Sequence, residues 1–130
     1  TAVKDNTNLR VVSVNGSVLV VGQAPNSYLR DQAIKAINEV KGVKQLHNQI
    51  RVSNTTSFTT KTNDVWLTSK VKTALYSNDE LDATNIKVVT ENGEVFLMGL
   101  ITEAQAIIAV DIARNVAGVN RVFKIFEYIK

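Results

Sequence analysis

Cysteine is absent from this 130-residue chain, and histidine and proline occur once each. Without cysteine the chain can form no disulfide, thiolate metal site or thiol nucleophile, although the absence suits an oxidising and a reducing compartment alike. The single histidine, His47, has no Asp or Glu near it at the spacing of a metal site or a Ser-His-Asp triad. We therefore expect no metal site and no cofactor, and we interpret His47 as an ordinary strand residue.

Long apolar runs are also lacking, since no stretch approaches the roughly 18 residues needed to span a bilayer. Positive charge is not concentrated either. Residues 1–53 carry seven Lys or Arg against three Asp or Glu, whereas residues 64–130 carry seven against nine. Proteins that bind nucleic acid usually present a strongly basic face, so this distribution argues against DNA or RNA as a partner.

An internal repeat is present instead. Residues 92–99, Asn-Gly-Glu-Val-Phe-Leu-Met-Gly, are matched 77 residues upstream by residues 15–22, Asn-Gly-Ser-Val-Leu-Val-Val-Gly. Each Asn-Gly pair suits a type I′ turn, because both positions of that turn require a positive φ. Each pair is flanked by apolar, β-branched residues typical of strands. The sequence therefore predicts two related units, each containing a hairpin.

The same order of elements is predicted around both hairpins. A strand, a helix and a second strand in succession favour a right-handed crossover, which places the two strands parallel and makes each sheet mixed. Ser27 is the predicted cap of the helix in the first unit, and Asn63 or Asp64 that of the opening helix in the second. The predicted strands are 9–14, 18–21, 46–52, 85–90, 94–100 and 122–129, and the predicted helices are 27–41, 64–77 and 102–117.

The predicted fold is α+β, with two αββαβ units, each a three-stranded mixed sheet with helices on one face. The units are assigned to residues 1–53 and 64–130. They are joined by a linker at 54–63 that is rich in Ser, Thr and Asn. Shifting the helix at 64–78 upstream by the repeat length places its counterpart ahead of residue 1. We therefore expect the first unit to lack its opening helix in this chain.

Two αββαβ units of this length, each with Asn-Gly, a short apolar strand that ends in Gly and a capped helix, resemble the BON domain. That domain is named from bacterial osmotically inducible and nodulation proteins. Residues 62–71 and 90–100 look like the second domain of the dual-BON outer-membrane lipoproteins of Gram-negative bacteria, which are division- and stress-associated lipid-binding proteins. The resemblance covers nearly the whole chain.

The resemblance implies a periplasmic protein that is not an enzyme, supports outer-membrane integrity and is anchored by an acylated N-terminal Cys. It also implies that the second domain docks on anionic phospholipid. The chain departs from the pattern at its front, where the lipobox Cys and the first helix are missing. We expect the lipid anchor to lie upstream of Thr1.

The opening helix of the second unit carries the candidate lipid site. Its inward stripe centres near Leu67 and Val71, and at about 100° per residue Trp66 lies well away from that stripe. Indole and phenol rings favour the headgroup region of a membrane, and lysine favours anionic phosphate. The alternative is that Trp66 packs against the protein itself. The predicted lipid-binding residues are Trp66, Ser69, Lys70, Thr73 and Tyr76.

The helix at 102–117 is apolar nearly all round, because Ile107, Ile108 and Ile112 lie outside its inward stripe. These residues are a candidate surface for a protein partner or for self-association. The alternative is that they pack against the opening helix of the same unit. A second function therefore stays open beside lipid binding, that of an adaptor that binds an envelope protein. Binding to vesicles that depends on anionic lipid would distinguish the two.

Overall fold

The structure is a computed structural model that describes residues 8–52 and 58–129, with the backbone alone at residues 8 and 58–61. The chain divides into two compact units, Thr1–Ser57 and Phe58–Lys130. The expectation that the first unit lacks an opening helix bears on the chain before residue 8, and that part lies outside the described residues. The same holds for the start of the predicted linker, at 54–57, and for residue 53 before it.

The first unit has the predicted mixed sheet. Its strand order is β1-β2-β3, with β1 antiparallel and β3 parallel to the central strand. Asn15 and Gly16, between the first two strands, have φ values of 53° and 87°, as the predicted type I′ turn requires. The elements are β1 at Asn8–Val14, β2 at Ser17–Ala24, α1 at Ser27–Asn38 and β3 at Gln45–Val52.

Helix α1 is shorter than predicted and is capped one residue earlier. The side chain of Asn26, not that of Ser27, accepts a hydrogen bond from the backbone N–H of Leu29 at 2.9 Å. At the other end, Val40 N donates to Ile37 O at 3.1 Å, so the last turn is tighter than an α-helical turn. Val40 is consequently 59% exposed and does not join the inward stripe.

The second unit repeats this arrangement, and in it a helix precedes the hairpin. Its strand order is β4-β5-β6, again with an antiparallel hairpin and a parallel final strand. The order of elements in this unit is thus αββαβ, which confirms the predicted fold class. The elements are α2 at Phe58–Tyr76, β4 at Lys87–Glu91, β5 at Glu94–Ile101, α3 at Glu103–Arg114 and β6 at Arg121–Tyr128.

Both helices of the second unit cover the same face of its sheet. Alternate residues of the central strand point to one face of a sheet, and in β5 those that pack against the helices are Val95, Leu97 and Ile101. The small buried side chains of α3 allow that helix to lie close to the sheet. The buried helical residues of this core are Leu67, Val71, Leu75, Ala106, Ala109 and Ala113.

Helix α2 begins at Phe58, five or six residues before the predicted cap at Asn63 or Asp64, and takes in the residues 58–63 that composition assigned to the linker. The prediction of that cap was wrong. Thr and Asn have modest helix propensity, but extending an existing helix costs far less than nucleating one. Residues 64–76 are fixed by packing, so the preceding residues can continue the same helix.

Candidate functional site

Helix α2 has a buried side and an exposed side. On the buried side, Leu67, Val71 and Leu75 are 6%, 0% and 1% exposed and belong to the core of the unit. Burying a Leu or Val side chain stabilises a fold by about 1.5–3 kcal/mol, so this stripe fixes the rotation of the helix about its axis. The opposite side of α2 therefore presents a defined set of side chains to solvent.

The exposed side contains every residue that the sequence predicted for lipid binding. Trp66 is 66% exposed and Tyr76 is 60% exposed, so neither ring is buried in the protein. Ser69, Lys70 and Thr73 are exposed as well. Helix α2 thus brings these five predicted residues together on one surface.

Two further residues of this surface were missed by the sequence analysis. Val65 is 68% exposed, and Lys72 is exposed. The helical spacing that selected Trp66 could have found both, because they are separated from Tyr76 by eleven and four positions along the same helix. We refer to Val65, Trp66, Ser69, Lys70, Lys72, Thr73 and Tyr76 together as the outer face of α2.

The two lysines lie at the borders of the outer face. At about 100° per residue, Lys70 and Lys72 fall roughly 80° to either side of its centre, with Trp66 and Val65 between them. Val65, Trp66 and Tyr76 form an apolar and aromatic ridge on this face, interrupted by the small polar side chains of Ser69 and Thr73 and bordered by a lysine on each side.

A buried carboxylate ties α2 to the hairpin turn of the same unit. Asp64 is 7% exposed, and its two oxygens accept hydrogen bonds from the backbone N–H groups of Asn92 and Gly93 at 2.8 and 2.9 Å. Hydrogen bonds to a charged group are stronger than those between neutral groups. Asp64 was predicted as a helix cap, and it does bind backbone N–H groups, but those of the turn.

A second polar contact supports this attachment one turn further along. The Thr68 hydroxyl donates to the backbone oxygen of Asp64 at 2.8 Å, and it lies 2.7 Å from the hydroxyl oxygen of Thr90 in β4. Asp64 and Thr68 thus join α2 to the hairpin from the buried side of the helix. The first exposed turns, which carry Trp66, are held firmly in place.

A cleft of about 580 Å³ opens beside Trp66, and five of the ten residues that line it are polar or charged. Across it, Lys70 Nζ lies 3.5 Å from the backbone oxygen of Ala117, so the ammonium group is at the edge of the cleft and only weakly held. A side chain at Gly93 would collide with Asn120, and its φ of 79° also favours glycine. The other residues that line the cleft include Asn63, Asp64, Leu67, Asn92 and Gly118.

The three isoleucines of α3 do not form one exposed surface. Ile107 is 67% exposed, whereas Ile108 and Ile112 are partly buried and pack against the core of the second unit. Helix α2 contributes Leu67, Val71 and Leu75 to that core. Of the three, Ile107 is the one that projects into solvent.

The described residues include neither a metal-binding cluster nor a membrane-spanning helix. Within residues 8–52 and 58–129, no group of three or more His, Cys, Asp or Glu side chains is arranged to hold a metal ion. No helix in the described part of the chain is both long enough and apolar enough to cross a membrane.

The sequence matches the BON domain over residues 1–54 and again over residues 63–127. It is 42% identical over 127 residues to the outer membrane lipoprotein DolP of Haemophilus influenzae, and 40% identical over 127 residues to the 21 kDa hemolysin of Actinobacillus pleuropneumoniae. Each alignment covers 98% of this chain and 66% of the relative.

A third relative is the osmotically-inducible protein Y of Escherichia coli, 30% identical over 125 residues, with 94% of this chain and 59% of the relative covered. The chain thus spans two thirds or less of the length of these three proteins. Among solved structures, a C-terminal domain of CdsD, a structural protein of the type III secretion system of Chlamydia trachomatis, aligns with a TM-score of 0.38 at 13% identity. That alignment covers 97% of this chain and 91% of the CdsD chain.

Proposed function

Because this chain belongs to the BON domain family, we propose that it is a non-enzymatic protein of the Gram-negative envelope that docks on anionic phospholipid through the outer face of α2. The relatives support the location, since one is named an outer membrane lipoprotein. Another is named a 21 kDa hemolysin. We place the chain on the periplasmic side of the outer membrane, with its lipid anchor upstream of Thr1, in support of membrane integrity.

The observation that carries this proposal is the exposure of Trp66 on a helix whose other side is fixed in a core. A solvent-exposed indole lacks the stabilisation that burial would give, about 1.5–3 kcal/mol for a large side chain. Transfer into the headgroup region recovers part of it, and both Trp and Tyr favour that region. Ten positions separate Trp66 from Tyr76, which places them about 80° apart around the helix. Both rings can therefore enter a membrane that lies against the part of the helix between them.

The lysines supply the preference for negative charge. A basic side chain near an anionic membrane contributes about 1 kcal/mol, so Lys70 and Lys72 together would strengthen binding roughly thirtyfold. Lys70 also lies at the edge of the cleft, where Asn63, Asn92 and Asn120 can donate hydrogen bonds to a phosphate or to a polar headgroup. We propose that the cleft receives the headgroup of the lipid whose acyl chains lie beside Trp66.

Docking through one helix face is weak by itself. Two lysines and one aromatic ridge give only a few kcal/mol, which is comparable to a single acyl chain, and stable attachment to a membrane generally needs two signals. A lipid anchor upstream would make docking of α2 intramolecular and raise its occupancy without any new contact. The two signals together would hold the second unit flat against the membrane.

The test is co-sedimentation with vesicles that contain either zwitterionic lipid alone or zwitterionic lipid mixed with anionic lipid. Unaltered protein should bind the anionic vesicles. Trp66→Ala should weaken that binding at least tenfold, and Trp66→Glu should abolish it, because the ring is lost and a negative charge is added. Circular dichroism should show both variants folded, since the indole is 66% exposed.

Tyr28 provides the matched control. It is an aromatic residue on α1 in the first unit and is 65% exposed, almost the same fraction as Trp66. Tyr28→Ala should leave vesicle binding unchanged. Equal loss from the two substitutions would mean that any exposed aromatic ring serves, and an unaffected Trp66→Ala variant would remove α2 from consideration.

The second candidate function is an adaptor that binds an envelope protein, and the observation that favours it is the exposed Ile107 on α3. An adaptor would sediment with neither kind of vesicle or would ignore lipid charge. Those outcomes would favour the adaptor over the lipid-binding function.

A further inference from the structure

Helix α3 carries a short exposed stripe beside the sheet. Glu103, Ile107, Val110 and Arg114 are spaced by four, three and four positions, which places them within about 60° of one another around the helix. Ile107 is 67% exposed, Val110 is partly buried, and the Arg114 side chain is 67% exposed. The stripe therefore has an apolar centre, an acidic end and a basic end.

The stripe forms one wall of a groove of about 390 Å³, and the other wall comes from β6. Lys124 and Tyr128 line the groove from that strand, which is at the edge of the sheet in the second unit. Tyr128 is 47% exposed. The groove is thus lined half by apolar or aromatic side chains and half by charged ones. The charged residues are Glu103, Asp111, Arg114 and Lys124.

The order of charges along the stripe makes it complementary to the same stripe on a second helix that runs in the opposite direction. Turning the helix end for end exchanges Glu103 with Arg114 and Ile107 with Val110, because the spacing is the same in both directions. An antiparallel copy would therefore place each Glu103 opposite an Arg114 and each Ile107 opposite a Val110. A two-fold axis creates this kind of contact, in which one patch meets itself.

We propose that the second unit self-associates through an antiparallel pairing of α3 with α3 of a second copy of this chain. Each copy would insert Ile107 into the groove of the other, and Glu103 of each copy would meet Arg114 of the other. Arg114 already contacts Asp111 of its own helix at 3.0 Å, but its guanidinium has five N–H donors and can bind a second carboxylate. Lys124 lines the same groove and adds a further cation for the incoming Glu103.

The contact is small, and the dimer should accordingly be weak. Stable interfaces usually bury about 1,600 Å², and one stripe on a 12-residue helix offers much less. We expect the average mass to rise with concentration in a range on the order of 10 μM to 1 mM, where weak interfaces of this kind associate. The outer face of α2 takes no part in the pairing, so the inference does not depend on the proposed function.

The decisive experiment reverses each of the two charges in a separate variant and measures the average mass by sedimentation equilibrium. In a dimer of Glu103→Arg, two guanidinium groups would face each other at each end of the contact, and in a dimer of Arg114→Glu two carboxylates would do so. Because like charges repel, each variant should stay monomeric. Mixing the two variants in equal amounts restores an opposite-charge pair at both ends of the contact. The mixture should therefore dimerise at least as strongly as the unaltered protein.

The mixture also separates the proposal from a folding defect. Glu103 is in the first turn of α3 and Arg114 in the last, where their charges favour the helix dipole, so either reversal costs some helix stability. Two poorly folded chains would not regain association when combined. The proposal is overturned if the unaltered protein remains monomeric throughout the concentration range, if either single variant dimerises normally, or if the mixture does not associate.

Failure of this proposal and failure of lipid docking can be told apart. Trp66→Ala should lose vesicle binding while retaining the concentration-dependent mass of the unaltered protein. A loss of self-association in Trp66→Ala would place the contact on α2 and overturn the pairing through α3.

Discussion

The two units share one scaffold, yet they offer different surfaces. In each, a hairpin with a left-handed Asn-Gly turn is followed by a helix and a parallel strand. In each, the glycine of the turn is also tied to the loop that precedes the last strand. Gly16 O accepts from Lys44 N at 2.8 Å, and Gly93 O accepts from Asn120 N at 2.9 Å.

What differs is the attachment of a helix to the turn. In the second unit, Asp64 joins α2 to Asn92 and Gly93, and the outer face of α2 begins at the next residue. The part of the first unit that the structure describes, residues 8–52, has α1 as its one helix. The shared ββαβ part therefore acts as a scaffold, and the proposed site depends on what the second unit adds to it.

The largest effect is expected from removal of the Asp64 carboxylate, because this change detaches α2 from the turn of the second unit. Asp64→Ala leaves two backbone N–H groups of the turn without their acceptor, at about 1–3 kcal/mol each. We expect the free energy of unfolding, measured in urea, to fall by about 3 kcal/mol. Asp31→Ala on α1 is the control, since that carboxylate is 68% exposed and should cost no more than about 0.5 kcal/mol. Equal losses would show that the attachment contributes little.

Local sequence patterns predicted most of the fold. The Asn-Gly pairs, the apolar strands and the helical stripes depend on neighbouring residues, and these patterns correctly indicated two mixed sheets and the fold class. The errors were at helix ends. The start of α2 and the end of α1 depend on how far a helix continues beyond its packed part, and residues 58–63 carry no signal for that.

The candidate site was predicted in part for the same reason. Helical periodicity placed Trp66 and Tyr76 on one side of α2, and the structure shows both exposed. The cleft beside Trp66 could not be predicted, because Asn92, Ala117 and Gly118 come from distant segments of the chain. The role of Asp64 was missed likewise, since its partners lie 28 and 29 positions away.

Neutralising two lysines in one unit or the other compares how much the charges of each unit contribute to vesicle binding. Lys70→Gln with Lys72→Gln removes two charges from the second unit, whereas Lys35→Gln with Lys41→Gln removes two exposed charges from the first. At about 1 kcal/mol per charge, the first pair should weaken binding to anionic vesicles roughly thirtyfold. The second pair should change it less than about twofold. Similar losses would mean that net charge, not the outer face of α2, governs binding.

The smallest effect is expected from a change at Val65, the aliphatic residue of the outer face. This change tests whether that face enters the membrane or only touches its surface. Val65→Ser should weaken binding about threefold to tenfold, because a partly inserted valine contributes roughly 1 kcal/mol of apolar burial. Val40→Ser in the first unit is the control, since these valines are 68% and 59% exposed and neither belongs to a core. If Val65→Ser binds as tightly as Val40→Ser, the attraction of α2 for lipid is electrostatic with the indole alone inserted. If it binds less tightly, the ridge enters as a unit, and the rigid attachment of α2 through Asp64 then acts to present that ridge to the membrane.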